Sequence, residues 1–142
     1  MRDDIETIAR SWIGTPYRHQ AATKGVGCDC LGLLRGVWAE LGLGPVGIQM
    51  DYPQSWPKTQ HADQFAAGLT QYLIPIARRT AHAGDVVLCR LTLGGPIVHA
   101  GILSRQAGAL GLIHAHSRFG VQETPYDPLW ARLAQLAYRF PQ

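Results

Sequence analysis

The spacing of apolar residues changes character a little past the middle of the chain. Before Thr80, apolar residues recur every three or four positions, which is the spacing of an amphipathic helix. This spacing predicts helices over Ile5–Trp12, Cys30–Leu41 and His61–Leu73, with an irregular segment at 43–60. Beyond Thr80, short apolar stretches are separated by turn residues, and this pattern indicates strands.

The predicted strands are Asp85–Arg90, Ile97–Ser104, Ala109–Ala115, Gly120–Thr124 and Leu136–Phe140. A short turn is expected at Asp127–Trp130, before the last of them. Helices first and an antiparallel sheet afterwards is the arrangement of the α+β class. With 142 residues, of which 46% are apolar, the chain is predicted to form a single domain over residues 1–142.

Acidic residues stand where the first two helices begin. Asp3 or Asp4 is predicted to cap the first helix, and Asp29 is predicted to cap the second, which begins at Cys30. Free backbone N–H groups and the helix dipole favour an anion at a helix start, so the Cys30 thiol is predicted to be shifted toward thiolate, a nucleophile. A lone cysteine is as often a small buried apolar residue, and position alone leaves both interpretations open.

Two histidines are predicted to share one face of a hairpin. Strand alternation separates His99 from its apolar neighbours, and a hairpin with Gln106–Ala107 at its tip places His99 opposite His114. One imidazole could then take a proton from a thiol while the other orients the first. His116 falls on the same face as His114, so the pattern does not choose between them.

Composition excludes several classes of function. The net charge is only +3, and no basic stripe accompanies it, so a nucleic-acid partner is not expected. No apolar run approaches the ~20 residues of a membrane span. The start, Met1–Asp4, lacks the pattern of a secretory signal, which predicts synthesis in the cytoplasm. Three cysteines and dispersed histidines do not match a zinc-site spacing, so no metal or cofactor is expected.

Five motifs, in order along the chain, resemble those of the NlpC/P60 cysteine peptidases: Gly14–Arg18, Asp29–Leu33, Ala83–Val87, Val98–Ile102 and Leu112–Ala115. The cysteine precedes both histidines, as in the unpermuted members and unlike the permuted acyltransferase relatives. The closing segments Asp127–Arg132 and Tyr138–Pro141 look like those of phage-type or gene-transfer-agent cell-wall peptidases.

The resemblance implies a papain-like NlpC/P60 fold and hydrolysis of peptidoglycan stem peptides, typically between D-glutamate and diaminopimelate. It implies that Cys30 is the nucleophile, that His99 is the general base and then acid, and that His114 orients His99. By the same resemblance, Tyr17 lines the substrate cleft and donates to the oxyanion. Asp29 would contact the substrate as well as cap the helix.

The chain departs from the family pattern at three places. Leu31 stands where the family usually has Ser, and His19–Ala21 replaces Trp-Gly-Gly, which predicts a differently shaped cleft. Cys28 is an additional thiol and is expected to be a bystander. Two other functions remain open: a structural tail or baseplate subunit with little turnover, and an amidase or acyltransferase that uses the same three residues.

The phage-type resemblance also implies partners and a location. Phage-like tail or baseplate proteins are the expected partners besides the peptidoglycan stem peptides. The protein would be associated with the virion or tail and would act on the cell wall in the periplasm.

Overall fold

The chain folds into helices packed on an antiparallel sheet. A computed structural model describes residues 2–44 and 68–141. The helices are α1 (Arg2–Arg10), α2 (Cys30–Glu40) and α3 (Pro128–Leu133). The strands are β1 (Ala22–Thr23), β2 (Gly27–Cys28), β3 (Ile74–Ile76), β4 (Val86–Arg90), β5 (Ile97–Gln106), β6 (Ala109–His116), β7 (Gly120–Pro125) and β8 (Ala134–Arg139). None of the described helices is long and apolar enough to cross a membrane.

Within the described residues, the main sheet has six strands in the order β3-β8-β4-β5-β6-β7, and all neighbouring strands are antiparallel. The strands β1 and β2 form a separate two-stranded ribbon. This architecture confirms the predicted α+β class. All five predicted strands are present, with ends within two residues of those expected. Sequence reasoning missed β1, β2 and β3, because strands of two or three residues are too short to show an alternation.

The sheet buries both of its faces, as the alternation along β4 shows. Val86 and Leu88 point to the face covered by α1 and α2 and belong to the larger apolar cluster. Val87 and Cys89 point to the opposite face and pack with Leu133 of α3 in a smaller cluster. The sheet is therefore a central layer between two unequal apolar layers.

Several local predictions were wrong or fall outside the described residues. The helix α1 begins at Arg2, so Asp3 and Asp4 lie inside its first turn instead of capping it. The predicted turn at Asp127–Trp130 is the start of α3, because Asp127 caps a helix with proline at its first position. Most of the irregular segment 43–60 and of the helix expected at 61–73 lies outside the described residues, but 68–70 is helical.

A glycine in α2 lets a loop lie directly against the first turn of this helix. A Cβ atom added at Gly32 would lie 1.8 Å from the carbonyl oxygen of Ala21. Gly32→Ala is therefore expected to lower the free energy of unfolding by about 1–3 kcal/mol, because the loop must move away. Thermal denaturation measures this loss. Gly68→Ala is the control: it meets no atom within 4 Å and should leave stability unchanged or raised.

Candidate active site

Cys30 is placed by a helix cap that also holds a neighbouring loop. The carboxylate of Asp29 is buried, with only 1% of the residue exposed. It accepts hydrogen bonds from the backbone N–H of Gly32 (2.8 Å) and from that of Gln20 (2.7 Å). The predicted cap at Asp29 is confirmed. The same carboxylate therefore joins the loop before β1 to the start of α2, where Cys30 lies.

The sulfur of Cys30 lies against strand β5. The backbone N–H groups of Ala100, Leu31 and Cys30 itself lie close enough to lower the pKa of the thiol. Ala100 directly follows His99 along the strand. The paired part of β5 and β6 begins only at Ile102, so the N–H of Ala100 lies outside that pairing. The thiol therefore sits beside the strand that carries the first histidine.

The Cys30 thiol is protonated at neutral pH, which corrects the sequence-based prediction of a thiolate. Burial raises the pKa of Cys30 to about 12, and the negative charge of Asp29 acts in the same direction. The backbone N–H groups at the helix start lower the pKa, as predicted, but by less than burial raises it. The proton must therefore leave when the sulfur attacks.

Tyr17 is brought to the site by pairing with the residue two before Cys30. Tyr17 forms a parallel bridge with Cys28, whose N–H donates to Pro16 and whose carbonyl accepts from Arg18, both at 3.0 Å. Burial, followed by the charge of Cys30, raises the pKa of Tyr17 to about 12. The phenol therefore keeps its proton and can donate a hydrogen bond to an anion. Cys28 itself is fully buried in the core.

His99 and His114 form a buried, hydrogen-bonded pair. Nε2 of His99 lies 2.9 Å from Nδ1 of His114, and the ring planes are nearly perpendicular, at 84°. Only 7% of His99 and 2% of His114 is exposed. The structure thus brings together the two histidines that the sequence placed on one face.

The hairpin between these histidines has a different register from the predicted one. Its tip is Ala107–Gly108 instead of Gln106–Ala107, with φ angles of 51° and 83°. Two-residue hairpin turns of this kind need positive φ at both central positions, and a glycine meets this need at low cost. When the tip moves by one residue, the residue opposite any position of β5 shifts by two along β6. Because side chains alternate along a strand, a shift of two keeps the histidines on the same face of the hairpin. His99 and His114 are therefore diagonal neighbours instead of directly opposed.

His116 is not the partner of His99. Its Nδ1 accepts hydrogen bonds from the backbone N–H groups of Arg118 (3.0 Å) and Phe119 (3.3 Å). Its ring stacks on that of Phe119, with centroids 4.9 Å apart. His116 therefore orders the turn between β6 and β7, and the choice that the pattern left open falls on His114.

Thr124 of β7 contacts the far nitrogen of His114. The hydroxyl oxygen of Thr124 lies 3.4 Å from Nε2 of His114. When Nδ1 of His99 is free to accept a proton, its Nε2–H donates to Nδ1 of His114, and the proton of His114 is then on Nε2, facing Thr124. Sequence reasoning missed this residue because its strand position carries no distinguishing signal.

Both histidines are uncharged at neutral pH. Burial lowers the pKa of His99 to about 3, and the charges of His114 and His116 act in the same direction. Burial and the charge of His116 lower the pKa of His114 to about 4. The resting site thus combines a neutral thiol with neutral imidazoles, the forms needed for proton transfer from sulfur to nitrogen.

This pair predicts that the folded state loses stability below about pH 6.5. The unfolded chain takes up protons on His99 and His114 near their ordinary pKa of 6.5, whereas in the folded chain the pKa is about 3 for His99 and about 4 for His114. Stability is therefore complete above pH 6.5 and falls by about 2 kcal/mol per histidine by pH 5. Urea unfolding at pH 7, 6 and 5 measures this. A double variant, His99→Gln with His114→Gln, should give a flatter profile, and an equal slope would contradict the assignment.

Trp130 of α3 lies over both histidines, a contact that sequence reasoning missed. Its ring centroid is 5.9 Å from that of His99 and 5.1 Å from that of His114. The sequence pattern placed Trp130 in a turn, and only the tertiary fold brings this segment against β5 and β6.

In the described part of the chain, no group of three or more His, Cys, Asp or Glu residues is arranged to hold a metal ion.

The overall structure is similar to several solved structures, although its sequence is not. No family model and no curated protein matches the sequence. Solved structures do match. The NlpC/P60 domain of the peptidoglycan hydrolase SagA shares 20% identity over 99% of both chains, with a TM-score of 0.64. An NlpC/P60 family protein from Bacillus cereus shares 17% identity over 99% of this chain and 40% of its own length, with a TM-score of 0.66.

A third similar structure has a different activity in its name. An N-acetylmuramoyl-L-alanine amidase from Bacteroides uniformis shares 14% identity over 99% of both chains, with a TM-score of 0.59. These identities are low, and the likeness is one of architecture. The chain therefore has the mixed helix and antiparallel-sheet fold of NlpC/P60 domains.

Proposed function

We propose that this protein is a cysteine peptidase that hydrolyses amide bonds in the stem peptides of bacterial peptidoglycan, at the bond between D-glutamate and diaminopimelate. One observation carries the proposal. The thiol of Cys30, at the capped start of α2, lies beside the backbone N–H of Ala100, and Ala100 directly follows a histidine that is hydrogen-bonded to a second histidine. A nucleophile, a base and a group that orients the base are the parts of a cysteine peptidase.

The protonation states define the chemical steps. As the sulfur of Cys30 attacks the carbonyl carbon, its proton moves to Nδ1 of His99, and the carbonyl oxygen becomes an oxyanion. When this intermediate collapses, the C–N bond breaks, and His99 gives the proton to the leaving amine. A water molecule then attacks the thioester and gives a proton to His99. The C–S bond breaks, the peptide leaves with a new carboxyl group, and His99 returns the proton to the sulfur of Cys30.

Two donors near the sulfur can stabilise the oxyanion. One is the backbone N–H of Cys30, at the positive end of α2. The other is the hydroxyl of Tyr17, which stays protonated because its pKa is raised to about 12. A donor of this kind lowers the barrier by roughly 3 kcal/mol in well-studied acyl-transfer enzymes.

The substrate class is supported by the similar structures. SagA is a peptidoglycan hydrolase, and its NlpC/P60 domain covers nearly the whole of this chain. The similarity to the Bacteroides uniformis amidase favours a second candidate activity, cleavage between N-acetylmuramic acid and L-alanine with the same three residues. A tail or baseplate subunit with little turnover is the candidate outside enzymes.

The setting proposed for the peptidase is a phage-like tail or gene-transfer agent. The support is the resemblance of Asp127–Arg132 and Tyr138–Pro141 to the closing segments of such peptidases. A tail or baseplate protein would carry the enzyme to the wall, which it would digest in the periplasm.

Digestion of purified diaminopimelate-type peptidoglycan tests the activity and separates the three candidates. Mass spectrometry of the released products should show peptides that begin with diaminopimelate. Stem peptides that begin with L-alanine would overturn the peptidase in favour of the amidase. Absence of any release, with folded protein at high concentration, would overturn both and favour the structural subunit.

A further inference from the structure

We propose that Trp130 is a positioning residue, which fixes the rings of His99 and His114 and keeps water from the side of the pair that faces α3. This role rests on the proposed function, because it acts through the histidine that would accept the proton. The contacts of Trp130 at this site are with the histidine rings, and it acts through them.

The ring contacts define how Trp130 constrains the pair. The ring of His99 lies at 31° to the Trp130 ring, a tilted arrangement with centroids 5.9 Å apart. The ring of His114 lies at 70°, in an edge-to-face arrangement at 5.1 Å. Aromatic pairs in such geometries contribute beyond the area they bury. One side chain thus contacts both members of the hydrogen-bonded pair and limits rotation of each.

The backbone of α3 holds Trp130 in place. The carboxylate of Asp127 accepts a hydrogen bond from the backbone N–H of Trp130 at 2.9 Å. The carbonyl of Asp127 accepts one from Ala131 at 3.0 Å, and Leu133 anchors the helix in the smaller apolar cluster. Proline at the first position and the aspartate cap thus fix the start of a helix that is only six residues long.

The histidine pair lies on the face of the sheet that packs α3. His99 pairs with Cys89 across β4 and β5, so the two side chains share this face, and Cys89 belongs to the smaller cluster against which Trp130 packs. The indole therefore covers the histidine rings on this face. Its removal opens this side of the pair to water.

Opening this side has a consequence for the pH profile. Water around the pair reduces the penalty for charging an imidazole, so the pKa of the pair rises toward its ordinary value. His116 on β6 also acts on the pair, and the thiol of Cys89 on β4 lies across from His99. On α3, the carboxylate of Asp127 is engaged by the cap, and Arg132 lies in the last turn. None of these is altered by substitution of Trp130.

The test compares three variants in peptidoglycan digestion: Trp130→Ala, Trp130→Phe and Leu129→Ala. Leu129 neighbours Trp130 on α3 and is 54% exposed, so it is the matched control. Trp130→Ala is expected to lower kcat about tenfold with little change in KM, and to move the acid limb of the kcat/KM profile to higher pH. Trp130→Phe should retain most activity, and Leu129→Ala should match the wild type.

An NMR titration of the histidine rings gives a readout that does not need activity. In the wild type, the His99 and His114 signals should not titrate between pH 8 and 5, and in Trp130→Ala they should titrate at a higher pH than in the wild type. This result would support the positioning role even if no peptidoglycan were cleaved. Unchanged titration and an unmoved acid limb in a folded Trp130→Ala protein would overturn it.

Discussion

Replacement of Cys30 by alanine is expected to abolish the release of peptides from peptidoglycan, with a loss of at least about a thousandfold in rate. In the proposed mechanism, the sulfur is the protein atom that forms a covalent bond to the substrate, and alanine cannot replace it. The fold should persist, because Cys30 is partly exposed and its helix cap depends on Asp29 and Gly32 instead. Product release, followed by chromatography and mass spectrometry, measures the loss.

Cys28→Ala is the matched control for this variant. Cys28 is two residues away but fully buried in the core, with a thiol that burial keeps protonated by raising its pKa to about 12. It should keep its activity once the folded fraction is verified by thermal denaturation. If Cys28→Ala were inactive and Cys30→Ala active, the assignment of the nucleophile would be wrong.

Replacement of His99 by glutamine is expected to lower kcat by about 10²–10⁴, the usual contribution of a general acid and base. Glutamine fills most of the space but cannot take the proton from a thiol whose pKa is raised to about 12. Single-turnover kinetics at pH 7 measures the rate of the chemical step directly.

His114→Gln is the graded comparison. In the native protein, Nδ1 of His114 lies 2.9 Å from Nε2 of His99, but His114 does not exchange a proton with the sulfur. The rate should fall by a factor of about ten to a hundred, less than for His99→Gln. Equal losses in the two variants would contradict the division of roles between base and orienting residue.

The secondary structure of the described residues was largely readable from the sequence. The start of α2 was correct because an aspartate before an apolar helical pattern has a local cause, the hydrogen bond to the N–H of Gly32. The caps at Asp3 or Asp4 and the turn at Asp127–Trp130 were wrong. The first helix begins at Arg2, before either predicted cap. At Asp127, an aspartate followed by proline is compatible with a turn as well as with a helix start, and the chain forms the helix.

The pairing of the two histidines was predictable because side chains alternate between the two faces of a strand. His99 and His114 share a face for any two-residue turn, because a shift of the tip moves the partner by two positions and keeps the side. The exact register was not predictable, since it depends on which residues accept positive φ, here Ala107 and Gly108. The sequence therefore identified the pair but not its diagonal geometry.

Features that depend on burial lay beyond sequence reasoning. The helix start predicted a lowered pKa for Cys30, but the surrounding protein raises it, because desolvation outweighs the backbone N–H groups. Trp130 and Thr124 reach the histidine pair from α3 and β7, elements that are adjacent to it only in the folded chain. No spacing along the sequence encodes such contacts.

Site-resolved alkylation tests most directly whether the thiol beside the histidine pair performs the reaction. The protein is treated with iodoacetamide for increasing times at pH 8. Peptide mass spectrometry then measures alkylation of Cys28, Cys30 and Cys89, while the remaining peptidoglycan digestion is assayed in parallel. The account predicts that activity falls in direct proportion to the alkylated fraction of Cys30 and that the two buried thiols stay unmodified in the folded protein. Full alkylation of Cys30 with undiminished digestion would contradict it.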